Sequence, residues 1–271
     1  MRINKDTTLC MSLAAKPSNF GTRFHNYLYE ALNLNYVYKA FAPTDLAQAI
    51  AGVRGLPVRG CAISMPYKEA VMALVDEMDA SATAIQSVNT IVNTNGVLKA
   101  YNTDYIAIAK IIEKYKISPN TKFALKGSGG MAKAVAFALK NSGFHNGIIV
   151  AKNAVAGQEL AQSSGFVWQK ELQDNDVELL INATPVGMVG TAFEQDLAFS
   201  EMAIANASLI FDVVALPEQT PFIQTAQVQG KRVIKGSEVF ALQALEQFYL
   251  YTGIYPDQRT FQAAAEFSRA G

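Results

Sequence analysis

The chain has 271 residues, half of them hydrophobic and 17% charged, which is ample material for a buried core and far from the composition of a disordered segment. Lys plus Arg equals Asp plus Glu, 23 of each, so the formal net charge is zero. That balance leaves no electrostatic footprint for nucleic acid or an anionic membrane surface. The length fits one large domain or two modest ones. Cys10 and Cys61 match neither a metal-ligand spacing nor a disulfide framework, which predicts a reduced, cytoplasmic protein without a bound metal.

The start, with Arg2, Lys5 and the apolar run of residues 9–15, faintly resembles a secretory leader. Ser12 interrupts the run and Lys16-Pro17 ends it, so it reads better as a first core strand. Residues 36–41, 58–65 and 88–92 read as strands, and residues 22–33, 46–53 and 69–74 as helices. Such alternation predicts parallel sheets joined by crossover helices. His25 falls inside an amphipathic helix and reads as structural rather than catalytic. No apolar run approaches the ~20 residues that span a bilayer.

A first boundary falls at Tyr101-Asn102-Thr103-Asp104. A helix over residues 105–115 follows, with Ile108, Ile111 and Ile112 on one face, and a new βα unit begins at Thr121. A second boundary falls near Gly236. Beyond it Val239, Leu242, Leu245 and Phe248 recur at helical spacing, and residues 257–268 read as a last helix.

Residues 122–126 read as a strand, Gly127-Ser128-Gly129-Gly130 as a glycine turn, and Met131 onward as a helix. Dinucleotide binding needs this order, because the backbone must turn tightly and approach a pyrophosphate whose charge the helix N–H groups receive. The pattern G-x-G-G is weaker than G-x-G-x-x-G, and an ordinary glycine turn is the plain alternative. The next strand, residues 147–150, ends in Ala151-Lys152-Asn153. An NAD site places Asp or Glu there for the ribose hydroxyls, whereas Lys152 suits a 2′-phosphate, so the expected cofactor is NADP.

Three further stretches carry polar groups suited to chemistry: Ala62-Ile63-Ser64-Met65-Pro66-Tyr67-Lys68, Ser87-Val88-Asn89-Thr90 and Asn102-Thr103-Asp104. With the glycine turn, Asn182-Ala183-Thr184-Pro185-Val186-Gly187-Met188, Asp212-Val213-Val214 and Gln243, they form an ordered set covering nearly the whole chain. The set resembles the shikimate dehydrogenase family, whose usual forms run close to N-V-T-x-P-x-K, A-V-N-T and N-T-D.

The resemblance implies an α/β protein of two domains separated by a cleft. Residues 1–103 plus 237–271 would form an α/β substrate domain, and residues 104–236 a Rossmann-like NADP domain. It implies an oxidoreductase of aromatic amino acid biosynthesis, moving hydride to or from a small cyclic hydroxy acid of the shikimate/3-dehydroshikimate type, as a monomer or homodimer. Lys68 would be the acid/base and Asp104 its partner, because the carbinol proton needs a base as hydride leaves. The plain alternatives are a surface lysine, and an N-cap for a helix starting at Tyr105. Ser18, Asn19, Ser64, Asn89 and Gln243 would bind substrate. Gly127, Ser128, Gly129, Gly130, Met131, Lys152, Asn182, Thr184, Pro185, Met188, Val213 and Gly236 would line the cofactor.

The chain departs from the family pattern in the substrate pocket. Asn19-Phe20-Gly21-Thr22 replaces the family's S-x-S-P, Ala62 an asparagine, Ser64 a threonine, and Ala215 a tyrosine. Losing hydrogen-bonding groups toward a polyhydroxylated acid weakens discrimination, so shikimate is expected to be a poor substrate. The rival readings are a quinate or related-substrate dehydrogenase, and a non-catalytic NADP-binding regulator on the same fold.

Overall fold

A computed structural model of the chain describes residues 3–173 and 176–269. Arg2, part of the leader-like start, lies outside the described residues. The chain divides into two units, Met1–Thr103 with Ala241–Gly271, and Asp104–Phe240.

The first unit holds strands β1 (Thr8–Leu13), β2 (Tyr36–Phe41), β3 (Gly60–Ile63), β4 (Glu77–Met78), β5 (Thr90–Thr94) and β6 (Val97–Tyr101). Between them run helices α1 (Phe20–Ala31) and α2 (Leu46–Gly55), a 3-10 turn (Ala70–Leu74) and the short α3 (Ala80–Thr83). The leader-like run is therefore β1, a core strand. Sheet order is β2-β1-β3-β5-β6-β4. The expectation of parallel sheets fails here. β1 pairs in parallel with β2 and β3, but β5 runs antiparallel to both β3 and β6. The β5–β6 pairing comes from a tight hairpin at Asn95-Gly96, with φ of 54° and 88°. Two consecutive positive φ angles match the hairpin turn whose twist suits flanking strands, and Asn-Gly is its favoured pair.

The second unit opens with α4 (Thr103–Lys114) and continues β7 (Phe123–Lys126), α5 (Gly130–Asn141), β8 (Gly147–Val150), α6 (Ala154–Ser164), β9 (Val167–Gln169) and β10 (Leu179–Asn182). Then come α7 (Glu201–Asn206), β11 (Leu209–Asp212), α8 (Pro221–Val228) and β12 (Arg232–Ile234). Its sheet, ordered β12-β11-β10-β7-β8-β9, is wholly parallel. The strands are short apolar runs such as Leu179-Leu180-Ile181, buried on both faces as a doubly wound sheet requires. The order reverses direction at β7, and ligands of such sheets bind beyond the carboxyl ends of the strands at that switch.

Helix α9 (Gly236–Thr252) begins in the second unit and ends in the first, so the division falls inside it, at Phe240 and Ala241, rather than at its start. Its later half and α10 (Gln258–Arg269) close the core of the first unit. Phe24, Leu28 and Tyr29 of α1 cluster there with Phe248, Tyr251 and Ala264. Gly60 makes this packing possible, because a Cβ there would stand 2.2 Å from the Tyr251 ring. Cys10 and Cys61 are buried free thiols, and burial pushes the Cys10 thiol up to about 12. Among the described residues no helix is long and apolar enough to cross a membrane.

Candidate active site

Strand register decides which loops meet in the first unit. Leu13 lies beside Ile63, Ala62 opposite Thr90, and Thr90 opposite Tyr101. The segments leaving β1, β3 and β6 and the one entering β5 therefore share one end of the sheet. Ile63 N donates to Asn89 O at 2.7 Å, Val88 N to Lys68 O at 2.9 Å and Asn89 N to Tyr101 O at 3.1 Å. The backbone of Lys68 is thus stitched to the turn that carries Asn89.

The Asn89 side chain is the centre of a buried network. Its Oδ1 accepts from Thr90 Oγ1 at 2.9 Å, Thr103 N at 2.7 Å and Thr103 Oγ1 at 3.1 Å. Each threonine hydroxyl also accepts from a glutamine of α9: Gln243 Nε2 reaches Thr103 Oγ1 at 3.3 Å, and Gln247 Nε2 reaches Thr90 Oγ1 at 3.0 Å. These donors fix the amide's orientation. Its Nδ2 is buried and meets no hydrogen-bond partner among the described residues. A buried amide donor without a partner costs about 1–3 kcal/mol.

Gln243 was read from the sequence, but Thr90, Thr103 and Gln247 as network members were not. Gln247 lies four residues beyond Gln243, and that helical spacing was the available signal. Ser64 lies exposed just after β3, and Ser18 and Asn19 lie exposed after β1. Asn19 caps α1 in sequence position only, since its side chain makes no capping bond. Asp104 is buried, and α4 starts one residue before it. The N-cap alternative therefore gives way to a first-turn position, where the helix dipole favours a carboxylate.

In the second unit Gly127 ends β7 with φ of 128°, and a Cβ there would stand 3.0 Å from the Ala183 carbonyl oxygen. Gly129 and Gly130 differ, because a Cβ on either would meet nothing within 4 Å. Packing does not require glycine at these two positions. Ser128 and Met131 flank them half-buried, and Lys152 is exposed just after β8. Asn153 N-caps α6 through Ala156 N at 3.2 Å. Lys126 adds a cation that sequence reasoning missed. Its ammonium donates to the Ala198 carbonyl, and burial followed by the charge of Lys152 holds its pKa below the ordinary lysine range.

Asn182 has its side chain wholly committed to the loop it begins. Its Oδ1 accepts from Thr184 Oγ1 at 2.6 Å and Thr184 N at 3.1 Å, and its Nδ2 donates to Val186 O at 3.1 Å and Asp212 Oδ1 at 3.0 Å. Asn182 shapes the Thr184-Pro185 turn rather than facing outward. Pro185 and Met188 are exposed, and Val213 is tied back through its N to Asn182 O at 3.0 Å. Gly236 has a packing reason, since a Cβ there would stand 2.2 Å from the Val214 carbonyl oxygen.

The family model for the shikimate dehydrogenase substrate binding domain matches residues 19–91. A shikimate dehydrogenase-like protein of Haemophilus influenzae is 55% identical over 267 residues, covering 98% of each chain. A shikimate dehydrogenase (NADP(+)) of Desulforamulus reducens is 33% identical, covering 93% of this chain and 92% of its own. This chain belongs to the shikimate dehydrogenase family. The crystal structure of shikimate 5-dehydrogenase from Thermus thermophilus, in complex with NADP(H) and shikimate, matches with a TM-score of 0.83 at 27% identity over 96% of this chain and 99% of that one.

The departures from the shikimate dehydrogenase pattern occupy defined places. Gly21 is half-buried, and a Cβ there would lie 3.4 Å from Tyr38 Oη, an ordinary contact. Sterics therefore do not exclude a side chain at Gly21. Ala62 packs partly buried against the aromatic core, and Ala215 is half-buried before the exposed Leu216.

Proposed function

We propose that this chain is an NADP-dependent oxidoreductase acting on a cyclic hydroxy acid of the shikimate or quinate type, with a pocket altered so that shikimate itself is a poor substrate. The observation that carries the reading is the buried, unpaired Nδ2 of Asn89, held at the loop-bearing end of the first sheet. A polyhydroxylated ring supplies the acceptor that this donor lacks.

The second unit fits NADP. Open space above Gly129 and Gly130 admits a pyrophosphate at the start of α5. Lys152, with no acidic residue in the Ala151-Lys152-Asn153 segment, suits a 2′-phosphate. The bound cofactor supplies the hydride acceptor for the carbinol carbon. The remaining chemistry belongs to side chains. The amine of Lys68 takes the hydroxyl proton as the carbon–hydrogen bond breaks, and returns it in the reductive direction. The carboxylate of Asp104 accepts a hydrogen bond from a substrate hydroxyl. Asn89 and Gln243 hold ring hydroxyls, Ser64 supplies a further one, and Ser18 and Asn19 meet the substrate carboxylate.

Gly21, Ala62 and Ala215 each lack a hydrogen-bonding group that the family pattern carries. At ~1 kcal/mol per lost bond, two or three losses lower kcat/KM for shikimate by roughly 30- to 160-fold. The test is steady-state NADP⁺ reduction over shikimate, quinate and related cyclic hydroxy acids, compared with an unaltered shikimate dehydrogenase. A reduced kcat/KM for shikimate with a better related acid is expected. Shikimate turnover equal to the reference enzyme contradicts the altered pocket, and no turnover of any cyclic hydroxy acid contradicts the enzymatic reading.

A further inference from the structure

Among its described residues the second unit contains one buried carboxylate that the proposed chemistry does not use. Asp212, the last residue of β11, is fully buried. Its Oδ2 accepts from Thr220 Oγ1 at 2.6 Å, and its Oδ1 accepts from Val214 N at 3.0 Å and Asn182 Nδ2 at 3.0 Å. Through Asn182 it reaches the turn made by Thr184, Pro185 and Val186. Through Thr220 it reaches the start of α8, where Thr220 Oγ1 accepts from Ile223 N at 3.2 Å. Gly187 closes the arrangement, since a Cβ there would stand 3.1 Å from Thr220 Cβ. One side chain thus ties together the loops leaving β10 and β11.

We propose that Asp212 is a positioning residue that sets the geometry of these two loops, including Gly187, Met188 and Val213, for the nicotinamide half of the cofactor. The assignment rests on the reading that this unit binds NADP. Stability alone does not account for a carboxylate at this place. Burial pushes it up to about 6, against the lowering effects of Thr220, Val214 and Asn182, so the carboxylate that the fold carries near neutral pH is held at a cost in stability relative to the unfolded chain. A neutral amide would fill the same volume without that cost. It would also place a donor against Thr220 Oγ1, whose lone pairs already serve Ile223 N, and leave the threonine proton without its acceptor.

The test compares Asp212→Asn, Thr220→Val and Thr220→Ser with the wild type in the full chain, reading the Kd for NADP⁺ by titration, kcat and KM on the preferred acid, and urea unfolding. Asp212→Asn and Thr220→Val are expected to weaken NADP⁺ binding or lower kcat by about tenfold or more, as loss of a charge-assisted hydrogen bond implies. In Asp212→Asn the lost Thr220 bond and the relieved carboxylate burial oppose each other, so its unfolding midpoint should stay close to the wild type, and Thr220→Ser should restore the wild-type constants. Unchanged cofactor constants in both variants, with lowered stability, overturn the assignment and leave Asp212 a packing residue. A wild-type chain that binds no NADP⁺ overturns the functional reading and this assignment together.

Discussion

Replacing Lys68 with alanine should lower kcat by about 10²–10⁴-fold while leaving the Kd for NADP⁺ unchanged, the range expected when a positioned general acid–base is removed. The drop corresponds to about 3–5 kcal/mol of transition-state stabilisation. The turn of residues 64–68 is held to β1 and to the segment entering β5 by backbone bonds, Ser64 N to Leu13 O at 2.9 Å and Val88 N to Lys68 O at 2.9 Å. That anchored backbone places Lys68 at the same end of the sheet as the Asn89 network. Alanine removes the proton acceptor without touching those main-chain bonds, so the fold should persist. Stopped-flow or steady-state measurement of NADPH formation, beside a cofactor titration, checks the split. Equal losses in turnover and cofactor affinity would point to a damaged fold instead.

The second large effect concerns acid stability. His25 is fully buried in α1, its ring stacked 4.4 Å from that of Tyr38 at an interplanar angle of 12°. Burial pushes its pKa from 6.5 down to about 3, opposed only in part by Gln247. Above pH 6.5 both folded and unfolded chains carry it neutral, and the fold bears no penalty. Below that value the unfolded chain binds a proton that the folded chain refuses until about pH 3. Stability is therefore lost as pH falls through this window, at ~1.4 kcal/mol per pH unit and about 4 kcal/mol by pH 3.5. Asp212 acts in the opposite sense between about pH 6 and 4, because its folded carboxyl takes up a proton first. Subtracting His25→Gln from wild type removes that contribution and those of the other carboxylates. Urea unfolding at pH 7.5 down to 3.5 should show the difference between the two proteins constant above pH 6.5 and shifting in favour of the variant by about 4 kcal/mol at the acid end. Parallel curves would show that His25 is protonated inside the fold.

The sequence showed most of the second unit directly. Short apolar strands and amphipathic helices alternate there, and Gly127-Ser128-Gly129-Gly130 sits at the strand–helix junction that the structure displays. The first unit was harder to read. Its antiparallel half depends on Asn95-Gly96, two residues inside what otherwise reads as one stretch of β-like sequence. The network around Asn89 was legible only in part. Periodicity places Gln243 and Gln247 on one face of α9, but which threonines they meet depends on a register between β5 and β6 that no local pattern encodes. Asp212 was visible within a motif, yet its burial and its link to Asn182 come from adjacent parallel strands, residues thirty positions apart in sequence. Asn182 and Gly236 were read from the sequence as lining the cofactor. Their local reasons are hydrogen bonding within a loop and a close backbone approach.

The most direct test of the proposed chemistry is a crystal structure of the chain with NADP⁺ and its preferred cyclic hydroxy acid. Lys68 Nζ and an Asp104 carboxylate oxygen are both expected within about 2.6–3.2 Å of one substrate hydroxyl, on the carbon facing the nicotinamide. A bound acid whose carbinol lies beyond hydrogen-bonding reach of Lys68, or whose ring hydroxyls leave Asn89 Nδ2 unpaired, contradicts it.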